Sequence, residues 1–196
     1  MKKIIDVSAY QTDLDWAWLI DNGVEGVIIK LGEYSHLDDM FIEHVNHAVE
    51  YGLPYGVYYF SHACTHEDAV REAEQVASWI NVYLRGETPP LGIWLDAESK
   101  TMLYRDNDIT NVCMAFLNRL TDFGHQFNGI YSSWNWFSKY GEQHINVDEL
   151  PSYVPLWVAQ YSNNNDLLEE YPNRVKIWQF TDKFFNMNLD GNMYYD

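Results

Sequence analysis

Four short runs constrain the fold more than any other feature of this chain. They are GVIIKLGE from Gly26, GVYYFSHA from Gly56, GIWLDAES from Gly92 and GIYSSWNW from Gly129. Each is a glycine, a β-branched residue and an apolar or aromatic stretch, and the glycines lie 30, 36 and 37 residues apart. Helical stripes fill the intervals: Phe41, Val45, Ala48 and Val49, then Ala69, Ala73, Val76, Ala77 and Ile80, then Val112, Phe116, Leu120 and Phe123. Apolar residues at i, i+3, i+4 and i+7 spacing cover one helical face. Strands alternating with such helices predict parallel βαβ units.

Punctuation agrees with that pattern. THED (Thr65 to Asp68) resembles a capping box with the shorter acid, and Gly23, Gly52, Gly86 and Gly124 fall where helices should stop. KIIDVS supplies an earlier strand, followed by a helix around Leu14 to Asn22. After Gly129 the rhythm changes. PLWVAQYS and VKIWQFTD read as strands, NNNDLLEEYPN between them is too short and polar for a full helix, and MNLDGNMYY supplies a last short strand. The expectation is an α/β fold, a compact and irregular (β/α)8-like (TIM-type) barrel with helices mainly in the first two thirds. Residues 1–196 are expected to form a single catalytic domain.

The acids define where chemistry is expected. In a strand ending IWLDAE, side chains alternate, so Trp94, Asp96 and Glu98 share one face. Successive residues on that face are about 6.5 Å apart, close enough for one ionised carboxylate to raise the pKa of the next. Active sites of such barrels lie at the C-terminal strand ends, where Asp6, Tyr58 and Tyr131 also fall. Trp157, Gln160 and Trp178 lie in the later strands, and closure would bring Asp190 beside Asp6. Glycoside cleavage needs one carboxyl group protonated and another ionised, and repulsion between neighbouring acids splits their pKa values in that way. The 8 Trp, 15 Tyr and 9 Phe offer apolar platforms for sugar rings. Tyr58, Tyr131, Trp157, Gln160 and Trp178 are the candidate substrate contacts.

A formal net charge of −17 opposes binding to nucleic acid or to an anionic membrane. Cys64 and Cys113 match no metal or redox spacing and are expected to be buried thiols. His62 and His66 are separated by a strand-to-helix turn and lack a third ligand, so neither metal nor cofactor is expected. MKKIIDVSAY has no apolar h-region and no run of about 18 apolar residues occurs. A monomer is expected, either released from a host cytoplasm in the manner of phage enzymes or secreted with its signal removed.

DVSAYQ, GVYYF, WLDAE, LWVAQY, IWQF and NLDGN, in that order, resemble glycoside hydrolase family 25, the bacterial and phage N-acetylmuramidases. The resemblance implies a lysozyme acting on bacterial peptidoglycan glycan strands. Position by position, it implies Glu98 as the catalytic acid, Asp96 as its acidic partner, and Asp6 and Asp190 as further carboxylates lining the site. Tyr58 corresponds to a site aromatic. Two departures fall at the rim. KLGEY stands where the family commonly has Lys-small-Ser/Thr-Glu-Gly, and Tyr59 stands where a histidine often occurs. The alternatives are a chitinase or endo-N-acetylglucosaminidase-like barrel, whose longer D-x-x-D-x-D-x-E run is missing, or an inactive wall-binding module.

Overall fold

In a computed structural model that describes residues 1–105 and 108–195, strands and helices alternate along the chain. The strands are β1 (Lys2–Val7), β2 (Val27–Glu33), β3 (His36–Leu37), β4 (Tyr55–Phe60), β5 (Ile93–Asp96), β6 (Asn128–Ser133), β7 (Leu156–Ala159), β8 (Val175–Thr181) and β9 (Asp190–Tyr194). The helices are α1 (Trp16–Asp21), α2 (Phe41–Glu50), α3 (His66–Tyr83), α4 (Ile109–Asp122), α5 (Trp134–Phe137) and α6 (Asp166–Glu170). The hydrogen-bonded order β1-β9-β8-β7-β6-β5-β4-β2 closes through a β1–β2 pairing into an eight-stranded barrel, and β3 only extends the edge of β2.

Side-chain alternation divides the core in two. Ile4, Ile28, Trp94, Tyr131, Trp157, Ile177 and Tyr194 fill the barrel, while Ile5, Val7, Ile93, Leu95 and Ile130 face the surrounding helices. The glycine leading each run acquires a physical reason here. A Cβ on Gly129 would sit 2.6 Å from the Trp94 ring and from Pro155 O, and one on Gly56 would sit 2.8 Å from Ile28 Cδ1. Large side chains plug the base of the barrel only because those strands carry no Cβ beside them. Helices α3 and α4 pack side by side outside, burying Ala69, Ala73, Val76, Ala77 and Ile80 against Val112, Phe116 and Leu120. Thr65 caps α3 by accepting from Asp68 N at 3.1 Å, and the helix-ending glycines take φ values from 65° to 94°.

Three local expectations need correction. Strand β9 runs antiparallel to both neighbours, because the short link from Thr181 to Asp190 holds one 3₁₀ turn and is too short for a crossover. Val49 and Phe123, placed on buried stripes by spacing, are exposed at the ends of α2 and α4. Cys64 is half-buried, whereas Cys113 is buried as expected. The later helices are short, as expected, α5 of four residues and α6 of five.

Candidate active site

The barrel brings the four predicted acids to one end. Asp6 lies opposite Asp190 in the β1–β9 register, and Asp96 pairs with Phe60 on one side and Tyr131 on the other. Glu98 follows two residues beyond Asp96, where β5 has ended and the chain turns into a 3₁₀ segment capped by Ser99.

A buried hydrogen-bond chain fixes the floor. Asn192 Nδ2 donates to Asp6 Oδ2 at 2.7 Å and Gln179 Nε2 donates to the same oxygen at 3.0 Å. Trp157 Nε1 donates to Asn192 Oδ1 at 2.8 Å, while the Tyr131 and Tyr161 hydroxyls both donate to Gln179 Oε1 at 3.0 Å. Asn192→Ala is expected to strip Asp6 of one donor and Trp157 of its acceptor. Leaving two buried groups short of partners costs on the order of 2–4 kcal/mol, read as a fall in melting temperature. An unchanged melting temperature would show that the chain does not carry this load.

All four acids hold protons more tightly than ordinary carboxylates. Burial first, and then Asp190, raise Asp6 from 3.8 to about 7, against the pull of its two amide donors. Asp190 rises to about 6 through burial and Asp182. Asp96 is raised well above its usual range by burial and by Glu98, with Lys30 opposing. Glu98 opens to solvent along the cleft, yet the walls strip part of its hydration. That loss and the Asp190 charge raise its pKa, while the nearby Tyr131 hydroxyl opposes the rise. Asp96 Oδ1 is buried without a hydrogen-bond partner among the described residues. Native proteins seldom leave a buried acceptor unmatched.

The Asp190 contribution can be read from a pH profile. Removing its negative charge lets Glu98 lose its proton more readily, so Asp190→Asn should move the alkaline limb of activity to lower pH. The expected shift is about half a unit to one unit. An alkaline limb that stays in place or rises would exclude this coupling.

The predicted substrate contacts separate into three groups. Tyr58 and Tyr131 face inward near the acids, Tyr58 half-buried and Tyr131 8% exposed. Trp157 also points inward but is 1% exposed, wedged among Tyr58, Trp94 and Tyr131, so it supports the floor and offers no face to a sugar. Gln160 and Trp178 do not point into the mouth. The alternation that turns Trp157, Ala159, Ile177 and Gln179 inward turns these two outward. Gln160 bonds Asp166 at the start of α6 through both ends of its amide, and the Trp178 indole donates to Gln160 O. Gln179, Asn192 and Tyr161 were not among the predicted contacts. The available signal for Gln179 was a polar residue inside the apolar run KIWQF.

Among the described residues no group of three or more His, Cys, Asp and Glu is placed to hold a metal ion. The four carboxylates gather at the mouth of the barrel, with the Gln179 and Asn192 amides on Asp6 and the Tyr131 phenol beside Glu98. The chain matches the model of glycosyl hydrolases family 25 over residues 5–188. It belongs to that family. Among solved structures, the modular autolysin LytC from Streptococcus pneumoniae is 26% identical with a TM-score of 0.80, covering 99% of this chain and 46% of that one. The chain therefore spans a little under half the autolysin's length. A muramidase from Trichobolus zukalii (23% identical, TM-score 0.78) covers 100% of this chain and 94% of its own. A family 25 glycosyl hydrolase from Bacillus anthracis (20% identical, TM-score 0.77) covers 100% and 89%. At those identities the last two carry the family 25 fold alone. No curated protein matches the chain.

Proposed function

We infer that the chain is a lysozyme-type catalytic domain, cleaving the β-1,4 bond between N-acetylmuramic acid and N-acetylglucosamine in bacterial peptidoglycan. Membership of family 25 supports the reaction class, and the related autolysin LytC has been seen in complex with a synthetic peptidoglycan ligand. The observation that carries the reading is the unmatched, buried Asp96 Oδ1 beside Glu98. An acceptor waiting at the floor of an acidic cleft suits the N–H of a sugar's 2-acetamido group.

In this reading Glu98 donates its proton to the leaving glycosidic oxygen and then takes one from water. Asp96 stabilises the reacting centre, directly or by orienting the acetamido group as an internal nucleophile. The negative charge of Asp190 helps Glu98 to stay protonated, Asp6 anchors the floor beside it, and Tyr58 and Tyr131 line the reacting sugar's position. Wall glycan is the partner proposed. No described helix is long and apolar enough to cross a membrane.

The deciding experiment digests purified peptidoglycan and identifies the new reducing ends. N-acetylmuramic acid is expected there. N-acetylglucosamine at those ends would transfer the assignment to a glucosaminidase, and a wall left without soluble fragments would leave a binding module.

A further inference from the structure

Beyond the four acids, the rim between β2 and the loop after β4 holds an unusual aromatic pair. Tyr34 has φ of +50°, a left-handed conformation that bulky residues rarely adopt. It is held there by Tyr59, whose hydroxyl donates to Tyr34 O at 2.9 Å. The Tyr34 ring lies parallel to the His62 imidazole, 3.8 Å between centroids and 8° between planes, yet Tyr34 remains 59% exposed. One face is backed by histidine and the other is open. Tyr34 opens the two-residue turn joining β2 to β3, where a positive φ is ordinary geometry, so what sets it apart is an exposed ring stacked flat on a pinned imidazole.

The imidazole beneath is fixed on every side. His62 Nε2 lies 3.0 Å from Glu33 Oε2, and Nδ1 lies 3.2 Å from Ser99 Oγ and 3.3 Å from Thr101 Oγ1. Glu33 is in turn paired with Lys30 at 3.1 Å. Glu72 accepts from His62 N at 3.0 Å and from Ser61 Oγ at 2.6 Å, which pins the loop itself. Ser99 directly follows Glu98, so the stack is tied to the residue beside the catalytic acid. A groove of about 430 Å³ continues outward from it, lined by Tyr34, His62, Cys64, Arg71 and Arg105 among others.

We propose that the Tyr34–His62 stack is a sugar platform on the Glu98 side of the cleft, taking the apolar face of an N-acetylhexosamine ring of the glycan strand. The proposal rests on the peptidoglycan-hydrolase reading. The C–H face of a pyranose packs on an aromatic face, and a platform fixed before binding loses little freedom when the sugar arrives. Preorganisation of this kind requires the Glu33, Ser99 and Glu72 contacts observed.

The test measures binding of soluble, purified glycan strands to Glu98→Gln, in which turnover does not intervene, and to the same protein carrying Tyr34→Asn or Tyr34→Phe. Asparagine tolerates the left-handed conformation without a ring, and phenylalanine keeps the ring. Tyr34→Asn should weaken binding about tenfold with the melting temperature held, and Tyr34→Phe should stay within about twofold of its parent. In the background with Glu98 intact, Tyr34→Asn should raise KM by the same factor. Unchanged affinity in Tyr34→Asn overturns the platform, as does a loss in Tyr34→Phe equal to that in Tyr34→Asn. A fall in melting temperature with KM unchanged assigns Tyr34 to structure instead. Absence of muramic acid reducing ends with the intact enzyme counts against the function, and the affinity comparison still decides the platform.

Discussion

Glu98→Gln is expected to lower turnover on purified peptidoglycan by about 10²- to 10⁴-fold, the range that general acid–base catalysis contributes. Glutamine preserves the size of the side chain and its capacity to hydrogen-bond but has no transferable proton. Glu98 is the most exposed of the four acids: it opens to the cleft, whereas Asp190 is half-buried and Asp6 and Asp96 are about 5% exposed at the floor. Only an acid at the surface of the cleft can meet a glycosidic oxygen of a polymer lying across the mouth. Its raised pKa, set by the walls and by Asp190, keeps it protonated further toward neutrality than a free glutamate. Loss of turnover should therefore appear in kcat, with affinity for glycan strands retained. A Glu98→Gln protein that clears walls at near the parent rate would move the acid role to another carboxylate.

The parts of the fold that follow from local spacing were legible in the sequence. The glycine-led strands, the α3 stripe, the Thr65 cap and the weak helical cover after β6 all depend on residues near one another in the chain. The four acids were legible for a related reason: Asp6, Asp96 and Asp190 sit at strand ends and Glu98 just beyond one, and closure of the barrel brings these ends into one mouth. What stayed hidden depends on orientation across the barrel. Trp157 and Trp178 look equivalent as aromatics in apolar strands, yet the parity of each strand against the barrel axis turns one inward to the floor and the other outward. Gln179 and Asn192 pair across β8 and β9, but their joint grip on Asp6, 173 and 186 residues earlier in the chain, exists only once the barrel closes. The departure KLGEY was visible, but its consequence depends on a backbone angle at Tyr34 and a ring contact with His62 that no spacing encodes.

Asp96→Asn is expected to separate activity from stability, lowering turnover on the order of 10²-fold or more while making the folded protein more resistant to heat near neutral pH. In the proposed mechanism the activity loss follows because asparagine cannot carry negative charge at the reacting centre. The stability gain follows from the site itself: Asp96 is buried, Oδ1 has no partner among the described residues, and its pKa in the fold is well above 3.8. A carboxyl group with a raised folded pKa binds its proton more tightly in the native state than in the unfolded chain. Its contribution is fully present below the ordinary carboxylate pKa and is lost as pH rises through the folded value, because the unfolded chain then ionises more easily. Asparagine carries no charge to bury, so that loss disappears. Melting temperatures of the parent and the variant should be similar at acid pH and diverge upward in pH, with Asp96→Asn the higher. Active sites commonly hold groups that the fold alone would not retain, and a buried, unmatched carboxylate beside a second acid is such a group. A variant that melts lower than its parent across the whole pH range would instead make Asp96 a stabilising residue, and would remove the main support for its role beneath the substrate.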